Sequence, residues 1–88
     1  MDNLLKNRIL NGFKNTELGF IRIKRNLDLM HYTDEQISGL QKKIIETTPL
    51  ANIETKGKNH YFSNRAHNAV LTINAHSFTI ITAKQFSI

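Results

Sequence analysis

The chain has 88 residues, 40% of them hydrophobic, and carries a net charge of +5 from 12 Lys+Arg against 7 Asp+Glu. Its length allows one small core, and the absence of cysteine excludes disulfides, thiolate metal sites and cysteine nucleophiles. No apolar run reaches the roughly 18–20 residues of a membrane span, and the basic balance favours nucleic acid or an acidic partner over a carboxylate-rich DNA mimic.

The first helix is expected over about 3–13, where Leu5, Ile9 and Phe13 stand four apart and share a face. Thr16 then caps a second helix over about 17–28, in which Leu18, Phe20, Ile21, Ile23 and Leu27 are expected to be partly buried. Arg22, Lys24 and Arg25 cover its remaining surface. The third helix has the clearest start. Thr33 and Gln36 have capping-box spacing, and Asp34 and Glu35 occupy the first turn, where the helix dipole favours anions. Ile37, Leu40, Ile44 and Ile45 form one apolar stripe. Pro49 ends this helix by residue 48, because the residue before proline avoids the helical region.

After Pro49 the apolar spacing falls to two, so the sequence reads as one α+β domain over 1–88, with a helical half (1–48) and a sheet half (50–88). "ANIET" and "KNHYFS" are strands separated by a turn at Gly57, with Tyr61 on one face and His60 and Phe62 on the other. "SNRAHN" is a loop. "AVLTIN" and "SFTIITA" form a hairpin whose expected register sets Ile73 opposite Phe78, Leu71 opposite Ile80 and Ala69 opposite Thr82. The second face then carries Val70, Thr72, Asn74, Ser77, Thr79 and Ile81. The expected architecture is three helices on one face of a three- to four-stranded antiparallel sheet.

No Asp or Glu follows Glu54, whereas Lys56, Lys58, Arg65, Lys84, His60, His67 and His76 do. Such a tail repels no phosphate. His60 and His67, backed by Arg65 or Lys58, are a chemically sufficient set for metal-independent RNA cleavage: an imidazole takes the 2′-hydroxyl proton, another protonates the leaving oxygen, and a cation steadies the phosphorane. Lys56, Lys58, Asn74, Thr79 and Lys84 are the expected nucleic-acid contacts, with Thr72 also placed to hold substrate. The blander reading makes each histidine an ordinary surface residue and the charge a matter of solubility. No HExxH, Gly-rich phosphate loop or GxSxG occurs, so no metal or cofactor is expected.

Lys56-Gly57-Lys58-Asn59-His60-Tyr61, Asn64, Leu71-Thr72-Ile73-Asn74 and Ile81-Thr82-Ala83 resemble the "KGKNYY-x-N … LTIN … ITA" core of a family of small bacterial proteins of unknown function, with His60 where that core has a tyrosine, and the resemblance covers most of the chain. The resemblance implies a fold and no activity. The layout is more loosely similar to small toxin ribonucleases of the barnase and RelE kind, with His31 placed where some of those carry a histidine. The barnase sheet glutamate has no expected counterpart here.

Two main functional readings follow. In the first, the protein is a small basic RNA-directed protein, in its enzymatic form a metal-independent ribonuclease toxin. In the second it is a non-enzymatic binding module, such as a phage or mobile-element inhibitor docking on a protein or nucleoprotein through Tyr61, Phe62 or Tyr32. A third is a homodimer paired by a sheet edge. All three are read as cytoplasmic.

Overall fold

A computed structural model describes residues 3–86. Three helices precede four strands: α1 (Asn3–Gly12), α2 (Glu17–Asn26), α3 (Asp34–Thr47), a 3-10 turn (Leu50–Asn52), β1 (Ile53–Lys56), β2 (Asn59–Asn64), β3 (Ala69–Asn74) and β4 (Ile80–Gln85). The strands form an antiparallel meander in the order β1-β2-β3-β4. This is the expected α+β class with four strands.

The helix starts form as their sequences dictate. The Thr16 hydroxyl accepts from the Gly19 N–H at 3.0 Å. At α3 the box is reciprocal: the Thr33 hydroxyl accepts from the Gln36 N–H at 3.1 Å, and the Gln36 side chain accepts from the Thr33 N–H at 2.9 Å. The helices face the sheet through Ile9, Ile23, Ile37, Ile44 and Ile45, which join Ile53, Phe62, Ala69, Leu71, Ile73, Ile80 and Ala83 in one buried cluster. Phe62 is the largest side chain within it. At about 1.5–3 kcal/mol for each fully buried large aliphatic or aromatic side chain, this cluster is the main source of stability.

Strand alternation is sharp. In β2, His60, Phe62 and Asn64 are buried while Asn59, Tyr61 and Ser63 are half-exposed. In β3, Ala69, Leu71 and Ile73 are buried and Val70, Thr72 and Asn74 are half-exposed. The sheet therefore has an inner face under the helices and an outer face open to solvent.

The β3–β4 register differs from expectation. Ile73 lies opposite Ile80, Leu71 opposite Ala83 and Ala69 opposite Gln85, with a bulge that leaves Ile81 as the extra residue. Two features cause the shift. Phe78 has a left-handed φ of 58° and so leaves the strand. The Asn74 side chain gathers the connecting loop, accepting from the N–H groups of His76 (2.9 Å) and Ser77 (3.0 Å). Thr82 consequently lies on the outer face, opposite Thr72. Thr79 falls outside the hairpin and bridges in parallel to Lys14.

That bridge and α2 cover the far edge of β4. Lys14 N–H donates to the Phe78 carbonyl at 3.1 Å, and Ile80 N–H donates to the Lys14 carbonyl at 2.8 Å. Gly19 lets α2 approach the strand: a Cβ there would stand 3.3 Å from the Ile80 carbonyl oxygen. The α2 surface also departs from expectation. Ile23 is buried and Phe20 and Leu27 pack on the core, but Leu18 is 63% and Ile21 42% exposed. Packing against an edge covers a narrower stripe of helix than packing across a face.

Candidate functional site

His60 projects from β2 into the inner face, between Thr55 and Ile73 in register. It is buried, its Nδ1 shares a 2.7 Å hydrogen bond with the Thr55 hydroxyl, and burial lowers its pKa from the ordinary 6.5. His67 sits in the β2–β3 turn, exposed, its backbone N–H donating to the Asn64 side-chain carbonyl at 3.0 Å. The strand from residue 60 to residue 64 alone is about 13 Å long at about 3.3 Å per residue. The two imidazoles therefore lie toward opposite ends of the β2–β3 hairpin, and one of them faces the core.

The cations expected beside them are divided in the same way. Lys58 occupies the β1–β2 turn with Gly57, at the His60 end. Arg65 stands in the opposite turn, its guanidinium 5.2 Å above the Phe86 ring. The structure brings Arg65 and His67 together in one turn and separates both from His60 and Lys58. The expected set of His60, His67, Arg65 and Lys58 therefore does not converge on one point.

The outer face is where the remaining expected contacts gather. Its rows run across the strands: Lys56–Asn59–Asn74, then Glu54–Tyr61–Thr72–Thr82, then Ser63–Val70–Lys84. Tyr61 stands in the middle row, half-exposed. Lys56 and Lys84 lie on the two outermost strands, both exposed. The sheet does contain a glutamate, contrary to expectation: Glu54 is on β1, where its carboxylate meets the Lys56 ammonium at 3.2 Å. The pair is well exposed, so solvent screens it. Asn26 of α2 donates to the Thr82 hydroxyl at 3.1 Å, tying the helix to this face. Thr79 is not part of it; its hydroxyl accepts from Ser77 at 2.8 Å within the loop.

The proposed protein-docking anchors also separate. Phe62 is fully buried and unable to anchor a partner. Tyr32 is half-buried against His31, edge to face with ring centroids 5.0 Å apart. Tyr61 alone of the three lies on the open sheet face.

Two features escaped the sequence reading. The exposed Leu18 and Ile21 share α2 with the exposed Arg22 and Arg25 at the i, i+3, i+4, i+7 spacing of one helix face. That spacing was legible in "LGFIRIKR" but reads equally as core. A cleft of about 210 Å³ also opens between Leu27, Leu29, Tyr32, Leu40, His67 and Gln85. It is smaller than the roughly 300–1,000 Å³ of ordinary ligand sites, and no sequence signal marks it.

Among the described residues, no helix is long and apolar enough to cross a membrane. No curated protein and no solved structure matches the chain, so the likeness to barnase and RelE ribonucleases gains no support. One family model, described as a protein of unknown function (DUF3781), matches residues 7–84. That span takes in the second half of α1, all of α2 and α3 and nearly all of the sheet, and the chain belongs to this family.

Proposed function

We propose that the protein binds single-stranded RNA on the outer face of its sheet and does not cleave it. The observation that carries this reading is the composition of that face. Tyr61 offers a half-exposed ring in the middle row, hydroxyl and amide side chains surround it, and Lys56 and Lys84 flank it on the outermost strands. Glu54, the carboxylate at these strand positions, is matched by Lys56. A base stacks on Tyr61, Thr72 and Asn74 bond to its edges or to the ribose, and the lysines meet phosphates. The middle row spans about 14 Å at about 4.8 Å per strand, room for a short stretch of extended strand. The wide separation of His60 from His67 favours binding over cleavage.

Fluorescence anisotropy of a labelled single-stranded RNA in EDTA tests this. The expected result is binding that weakens steeply as salt rises, with the RNA intact afterwards. Absence of binding at low salt, or binding indifferent to Tyr61→Ala, overturns it. RNA cut in chelator, with cutting lost in the His60→Ala/His67→Ala double variant, replaces it with the enzymatic reading.

The exposed α2 face supports a second reading, a module that docks on a protein. Leu18 and Ile21 are apolar anchors, and Arg22 and Arg25 select an acidic partner surface. Leu18→Asp/Ile21→Asp abolishes such docking and spares RNA binding; RNA binding lost in that variant with an unchanged fold counts against separate surfaces.

A further inference from the structure

The strand β1 is the open edge of the sheet. The far side of β4 is covered by the Lys14 bridge and by α2, whereas β1 ends the strand order with Glu54, Thr55 and Lys56 exposed. The turn after β1 decides which of its peptide groups are free. Lys56 lies opposite Asn59, and Gly57, at φ 58°, takes the left-handed position that opens a two-residue turn of type II′. The pair closing such a turn exchanges both of its backbone hydrogen bonds, and bonding alternates along the ladder. Lys56 and Glu54 therefore turn their peptide groups toward β2. Thr55, between them, directs its N–H and C=O to the open side.

We propose that β1 pairs antiparallel with β1 of a second copy of this chain, centred on Thr55. The outward N–H and C=O of each Thr55 then bond reciprocally across a two-fold axis. Charge selects this register. Glu54 and Lys56 are two residues apart on the same face, so pairing about Thr55 sets each Glu54 across from the second copy's Lys56, twice by symmetry. Centring on Glu54 or on Lys56 sets like charges directly opposite, which is destabilising. The edge is thus self-complementary and favours its own copy over a strand of arbitrary sequence. A four-residue edge falls well short of the roughly 1,200 Å² of a stable standard interface, so the dimer is weak and depends on concentration. It joins two four-stranded sheets with their outer faces side by side. The dimer does not rest on the RNA-binding reading, and its test contains no RNA.

Analytical ultracentrifugation from about 10 μM to about 1 mM, the range of weak interfaces, supplies the first test. The expected result is a mass that rises from monomer toward dimer. Glu54→Lys and Lys56→Glu each weaken association about tenfold, and the double reversal, which restores opposite charges across the axis, recovers it. Circular dichroism melts confirm that each compared variant is folded. Cross-linking covers the case in which a single reversal unfolds. The chain has no cysteine, and the proposed register places the two Thr55 Cα atoms about 5.5 Å apart, within the range for a disulfide. Thr55→Cys then oxidises to a covalent dimer much faster than Lys43→Cys, an exposed position on α3. A wild-type chain that stays monomeric throughout, with Thr55→Cys no faster than Lys43→Cys, overturns the proposal. So does a dimer unaffected by either charge reversal.

Discussion

Asn64, the last residue of β2, donates its side-chain amide to the carbonyl of Ile44 in the final turn of α3, at 3.2 Å. The same amide reaches the hydroxyls of Thr47 at 2.9 Å and Thr48 at 3.1 Å, while its carbonyl accepts from the His67 N–H. An amide nitrogen has two hydrogens, so the three acceptors share them. The Ile44 carbonyl already accepts the Thr48 N–H at 3.0 Å and the Thr48 hydroxyl at 2.6 Å, so the Asn64 amide adds a further bond that ties β2 to the C-terminus of α3 from the buried side.

Asn64→Ala removes this junction and leaves polar groups buried. Thr48 still donates to Ile44 at 2.6 Å, which limits the damage. The expected loss is about 2–3 kcal/mol of stability in urea titration. A loss below about 0.5 kcal/mol would mean that water replaces the amide freely.

Gly19→Ala is expected to destabilise the protein although alanine is the better helix former by about 1 kcal/mol. The added Cβ would stand 3.0 Å from the Thr16 hydroxyl and 3.3 Å from the Ile80 carbonyl oxygen. The second of these is strand backbone and has little freedom to retreat. A raised melting temperature would show that α2 shifts along β4 without cost.

Stability is expected to depend on pH through His60. Burial lowers its pKa in the folded protein. Between that lowered value and the ordinary 6.5 the unfolded chain therefore binds more protons than the folded one, and stability rises with pH there. The contribution is complete above 6.5, is lost as pH falls through that value, and levels off below the folded pKa. Urea titrations from pH 8 to pH 5 should show the decline in the wild type, and His60→Gln should reduce it. An identical profile in both proteins assigns the effect to other groups.

For RNA binding, Tyr61→Ala should cost about 1–3 kcal/mol, the worth of one stacked base. Lys84→Glu should weaken all RNA sequences alike and reduce the steepness of the salt dependence by about one unit. Anisotropy at several salt concentrations separates the two effects. A Lys84→Glu protein with the wild-type salt slope would place the phosphates elsewhere.

Much of the fold was legible in the sequence because its signals are local. The Thr33–Gln36 box, the Ile37–Ile45 stripe and the break at Pro49 each act within a few residues, and the alternation of His60, Tyr61 and Phe62 follows from backbone geometry. The family resemblance was legible too, in "GKN" and "LTIN". The site was harder to read. His60 was read as a surface base because imidazole is ordinarily exposed; its shared face with Phe62 was legible, but only the sheet shows that this face is the inner one and sets His60 against Thr55.

The sequence by itself determined the elements, their order and the concentration of positive charge after Glu54, since propensity, capping and composition need no long-range contact. Tertiary structure decided where that charge went. The Phe78 excursion and the bulge at Ile81 shifted the last strand by two residues and more, and the hairpin placed Arg65 and His67 at one end with Lys58 at the other. Those outcomes depend on which loop conformation lets β4 reach α2 and the Lys14 segment, an energy balance spread over residues distant in the chain.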